Sequence, residues 1–93
     1  MKIEHQVFYV QTFILDHANS LDIHKDDIKK WIVEQHDGLM PDHNLYYEIF
    51  NSVLGFLDST RRNIYRLNDS KVEDFLKSSP DKLKQFKEKK KAR

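Results

Sequence analysis

The sequence predicts an all-α fold: a small single-domain bundle of four helices, or five if the last segments separate, ending in a frayed basic C-terminus. Three observations lead there. The chain has 93 residues, too few for two cores that each bury enough surface. It is 39% apolar and 12% aromatic with only two Gly and two Pro, a composition that favours helix over a turn-rich β fold. Its apolar residues recur at spacings of three and four. Residues 1–86 are expected to form the bundle and residues 87–93 a basic tail.

The first helix is predicted from Ile3 to about Ala18. Ile3, Val7, Val10, Ile14, His17 and Leu21 form its stripe, widened by Phe13 and Ala18. A second helix is expected to start near His24. Asp26 and Asp27 suit the positive end of its dipole, and Ile23 and Ile28 have the spacing of a hydrophobic staple. Ile28, Trp31 and Ile32 mark its inner face, while Lys29, Lys30 and Glu34 face water. Gly38 is the expected stop, because it accepts a left-handed backbone.

Turn chemistry concentrates in residues 36–44, where Asp42 or Asn44 can cap the next helix. The periodicity then predicts one long central helix from His43 to Leu67, with Leu45, Ile49, Val53, Phe56, Thr60, Ile64 and Leu67 on one face. Gly55 and the run Asp58, Ser59 and Thr60 are its weak points. Ser70 and Glu73 form a capping box for a short fourth helix, and Ser79, Pro80 and Asp81 start a fifth. After Phe86 little remains to bury, so fraying is expected.

Charge is unevenly placed. Residues 81–93 hold seven basic side chains against two acids, a net +5, so residues 1–80 carry −4 within the overall +1. Such a tail attracts phosphates, anionic surfaces or acidic protein faces. With no cysteine, disulfides, thiolate metal sites and Cys nucleophiles are excluded. His36, Asp37, Asp42 and His43 place four metal-capable side chains close together, yet no established ligand spacing is matched, and no cofactor or metal is expected. His17 is expected to be a hydrogen-bonded core histidine. No nucleophile elbow or phosphate-cradling glycine loop is present, so the chain is expected not to be an enzyme. The longest uninterrupted apolar stretch, Val53 to Leu57, is far short of a membrane span, and Gln11 and Thr12 interrupt the run from Val7 to Leu15 that a secretory signal would need, which predicts a cytoplasmic protein without membrane insertion.

Two functions compete. Aromatic residues spread beyond one core stripe, which favours a regulatory adaptor or inhibitor that binds a protein partner, or a second copy, through Tyr46, Tyr47, Phe50, Arg62 and Tyr65. The alternative is a nucleic-acid-binding regulator using Arg61, Arg62, Arg66, Lys87, Lys89, Lys90 and Lys91. In that version the helix pair around residues 36–44 acts as a helix-turn-helix, with a connection longer than the usual tight turn.

Overall fold

The computed structural model describes residues 3–91, with side-chain surroundings from Gln6 onward. The Ile3 side chain and the end of the expected tail, Ala92 and Arg93, lie outside the described residues. The element order is α1 (Ile3–Asp16), β1 (Ile23–His24), α2 (Lys25–Gln35), α3 (His43–Leu54), β2 (Leu57–Arg61), β3 (Ile64–Leu67), α4 (Asp69–Leu76) and α5 (Pro80–Lys90). The three strands form one antiparallel sheet in the order β1–β3–β2. The fold therefore mixes helices and sheet, which corrects the all-α expectation.

The correction lies in the segment whose spacing predicts one long helix. The helical path ends at Leu54 and Gly55, and residues 57–67 fold as a hairpin. Thr60, Ile64 and Leu67 match helical spacing, but the chain reverses between Arg61 and Ile64. Asn63 makes that turn with φ +63°, a left-handed conformation that Asn accepts more readily than most residues. Leu57 pairs with Leu67, Asp58 with Arg66 and Ser59 with Tyr65, and the register shifts by one between Ser59 and Arg61. Such a bulge bends and twists the hairpin near its tip. The third strand is only Ile23–His24, pairing with Tyr65 and Ile64. Two residues are too short for an alternation signal to appear in sequence.

Local capping explains most helix boundaries. His24 donates its backbone N–H to the Asp27 carboxylate at 3.1 Å, opening α2, and Ile23 and Ile28 are both buried as the staple requires. α2 closes with Asp37 and Gly38 at φ +55° and +77°, and Gly38 N–H donates to the Val33 carbonyl. Asp42 Oδ1 accepts from Asn44 N–H at 2.8 Å and from Leu45 N–H at 3.3 Å, opening α3. The cap of α4 is Asn68, whose Oδ1 accepts from Lys71 N–H. This is two residues earlier than the expected Ser70 cap, because Asn68 also anchors to the hairpin by donating from Nδ2 to Asp58.

The core gathers one apolar face from every helix. Phe13, Ile14, Ile23, Ile28, Ile32, Val53, Val72, Leu76 and Phe86 are almost fully buried. The buried face of α1 runs through Val10, Phe13 and Ile14 and on to Ala18 in the following turn, while Val7 and Phe8 on the helix and Leu21 beyond it are exposed. Of the expected stripe, Val10 and Ile14 are buried, whereas Val7 and Leu21 are exposed. His17 is half-buried, its ring stacked on Phe13 at 4.2 Å and its Nδ1 3.1 Å from the Phe13 carbonyl. Trp31 donates from Nε1 to Asp16 at 3.0 Å, which satisfies its one polar atom.

The C-terminal segment is also ordered further than expected. α5 continues to Lys90 and packs mainly on α1 and α4. Lys89 donates from Nζ to the Leu15 carbonyl at the end of α1, and Lys90 pairs with Asp69 at the start of α4. Cations placed at a helix C-terminus satisfy orphan carbonyls and oppose the dipole. The helix thus continues through the segment 87–90 for which the sequence predicts fraying.

Candidate nucleic-acid interface

α2 and α3 are joined by residues 36–42, and the β2–β3 hairpin follows directly. The hairpin turn leans on the start of α2: Lys25 donates its backbone N–H to the Asn63 carbonyl at 2.9 Å. Between the turn, the start of α2 and the start of α3 lies an open groove of about 670 Å³. Lys25, Lys29 and Asp26 come to it from α2, Met40 and Pro41 from the connection, His43, Tyr46, Tyr47 and Phe50 from α3, and Asn63 from the turn.

An aromatic ladder forms the α3 side of this groove. His43 and Tyr47 meet edge to face at 4.6 Å, Tyr46 and Tyr47 at 5.2 Å, and Tyr46 stacks on Phe50 at 5.7 Å. Burial, followed by the proximity of Tyr47 and Asp26, raises the Tyr46 pKa above that of an ordinary phenol. Tyr46 therefore keeps its proton near neutral pH and offers a donor and an acceptor rather than a charge.

The remaining face of α3 is polar and open. Asn44, Tyr47 and Asn51 are exposed and lie on one side, at spacings of three and four. Glu48 is turned toward α1, where it accepts from Gln6 Nε2 at 3.4 Å. The free face of α3 thus carries amides and a phenol, with cations supplied by its neighbours. Lys25 and Lys29 stand one turn apart on α2, and Arg61 and Arg62 sit at the hairpin turn.

The three hairpin arginines are not equivalent. Arg66 donates from Nε to Asp22 at 3.2 Å, and Arg61 Nη2 lies 3.7 Å from the other oxygen of the same carboxylate. Arg62 is exposed and makes no ion pair among the described residues. The α5 lysines belong to a different part of the molecule. Lys89 and Lys90 are engaged with α1 and α4, whereas Lys87 and Lys91 are exposed.

The expected protein-docking set is brought together only in part. Tyr46, Tyr47 and Phe50 share the groove, and Arg62 is adjacent to Asn63 of its rim. Tyr65 lies on β3 opposite Ile23 and packs against the core. Of the four aromatics, only Tyr47 is exposed, at 47%. Among the described residues no three His, Asp or Glu side chains converge to hold a metal, and Asp42 is committed as a cap. No described helix is long and apolar enough to cross a membrane.

Sequence reasoning missed Lys25, Lys29, Asn44, Asn51 and Asn63 as parts of one surface. Lys25 and Lys29 do carry an i, i+4 signal, and Asn44 and Asn51 an i, i+7 signal. What joins them is the hairpin, which the helical periodicity concealed. No protein-family model, curated protein or solved structure matches the chain.

Proposed function

We propose that this chain is a non-enzymatic protein that binds double-stranded DNA, with α3 entering the major groove and the β2–β3 turn lying on the adjacent backbone. One observation carries the reading: the polar face of α3 borders a groove whose far wall carries cations. Lys25 and Lys29 of α2 line that wall, and the hairpin turn that bears Arg61 and Arg62 is joined to it by the hydrogen bond between Lys25 and Asn63.

The dimensions suit this role. A helix is about 10–12 Å across with its side chains, and the B-DNA major groove is about 12 Å wide. The twelve residues of α3 span about 18 Å. Amide side chains at Asn44 and Asn51 offer the paired donor and acceptor that read adenine, while flanking cations hold phosphates. The equivalent groove of duplex RNA is too narrow to admit a helix. The seven residues joining α2 and α3 exceed the three or four of a tight helix-turn-helix, so the support comes from that face and groove rather than from turn length.

With four cations at the surface, affinity for random duplex should fall with salt at a log–log slope of roughly −3 to −4. Titration of labelled random duplex from ~50 to ~200 mM salt tests this, and no binding at the lower salt rejects the reading. A second reading, docking of a protein partner, draws support from exposed Leu39, Met40 and Tyr47 near the same groove. It is weakened by the burial of Phe50 and the core packing of Tyr65. Binding that depends on Met40 and Tyr47 but not on salt would favour it.

A further inference from the structure

Asp22 is the residue that the proposed interface does not explain. It precedes β1, in the loop after α1, yet its carboxylate meets two hairpin arginines at once, Arg66 Nε at 3.2 Å and Arg61 Nη2 at 3.7 Å. We infer that Asp22 is a built-in competitor for phosphate: it holds Arg61 and Arg66 against the sheet in the free protein and gives them up when a DNA backbone arrives. This rests on the DNA-binding reading above.

The argument is one of relative strength. Both pairs are solvent-exposed, with side chains 37–69% accessible, so water and salt screen them and each is weak. A phosphate backbone offers a far denser line of negative charge, to which the same guanidinium forks can attach. Exchanging Asp22 for phosphate therefore proceeds, but it returns less than attaching an unpaired arginine would. Arg62, which carries no such partner among the described residues, contributes in full. The arrangement holds the affinity of the hairpin below what its three arginines alone would give.

The test uses the full chain and a labelled random duplex of about two turns. Asp22→Asn should bind about two- to five-fold more tightly than wild type at low salt, with a salt slope steeper by about one. Asp22→Glu, which retains the charge, should stay close to wild type. In an Arg61→Ala/Arg66→Ala background the gain from Asp22→Asn should vanish, since the two groups no longer share an interaction. In the wild-type chain, the Arg66 Nε–H resonance should shift as duplex is added, a readout that needs no variant to fold. If wild type binds but Asp22→Asn is unchanged or weaker, or the Arg66 resonance stays still, the inference is overturned and the DNA reading stands. If neither protein binds at low salt, both fall.

Discussion

Lys25 donates its backbone N–H to the carbonyl of Asn63 across 2.9 Å, joining the first residue of α2 to the hairpin turn. This contact continues the β1–β3 register one position beyond His24 and Ile64 and fastens the hairpin turn to the start of α2. It satisfies one of the four N–H groups that every helix leaves unpaired at its start. It also depends on Asn63 holding a left-handed backbone at φ +63°.

Asn63 is therefore the position at which hairpin geometry can be tested without touching a charge. Asn63→Gly keeps the left-handed turn and should leave melting temperature and DNA affinity near wild type. Asn63→Val forces a β-branched residue into that conformation and should cost about 1–3 kcal/mol. Thermal melts monitored by circular dichroism, paired with duplex titration, would separate the two. Equal behaviour of Gly and Val variants would mean that the turn is not held as described.

The start of α3 gives a cleaner stability test. Asp42 Oδ1 accepts from two backbone N–H groups, Asn44 and Leu45. Asp42→Ala should cost about 1 kcal/mol, while Asp42→Asn or Asp42→Ser should recover most of it. For a domain of this size about 1 kcal/mol is a fall of roughly 4–8 °C in the melting midpoint. A metal role for Asp42 would instead make the loss depend on chelator.

The sequence was most legible where a short-range signal fixes the backbone. Asp42, Gly38 and the pair Ile23 and Ile28 all act over five residues or fewer, and each occupies the place expected of it. Illegible stretches were those whose conformation is set by distant partners. Ile23 and His24 are a strand only because Ile64 and Tyr65 lie beside them. Residues 57–67 carry apolar side chains at spacings that suit a helix, yet six polar residues, 58–63, fill the middle. A helix there would have carried a broad polar patch through the segment expected to be most buried. The hairpin turns that patch into an exposed tip while Leu57 and Leu67 stay in the core. The candidate interface was legible in its parts, Arg61 and Arg62 and the aromatics Tyr46, Tyr47 and Phe50. It could not be assembled until the helix was broken.

α5 belongs to the folded body, which changes what a C-terminal truncation reports. Phe86 is fully buried, and Gln11 donates from Nε2 to the Ser79 hydroxyl at the start of α5. Phe86→Ala should cost about 3–5 kcal/mol, a large part of the ~5–15 kcal/mol typical of a domain. The urea midpoint should fall with little change in the m-value. A chain ending at Ser79 should lose cooperative unfolding, so its failure to bind a partner would report a lost fold rather than a lost tail. Replacing exposed Lys87 and Lys91 by Gln should leave stability unchanged within about 0.5 kcal/mol, which separates the packing role of α5 from its surface charge.

The division of labour across the interface yields the sharpest contrast. Asn51 is exposed on the face of α3 assigned to base edges, whereas Lys29 lines the flanking groove assigned to phosphate. A duplex selected from a random pool supplies a preferred sequence for comparison. Asn51→Ala should lower the preference for that sequence over random duplex by about 1–3 kcal/mol and leave the salt slope unaltered. Lys29→Ala should weaken binding to both duplexes alike and make the slope shallower by about one. Arg62→Ala should behave as Lys29→Ala does, because a guanidinium at the hairpin tip with no ion pair among the described residues contacts backbone, not bases. If Asn51→Ala weakens both duplexes equally, α3 is not the reading helix. If Lys29→Ala and Arg62→Ala leave the slope unchanged, these cations are not the phosphate contacts, and the interface must lie on another face of the molecule.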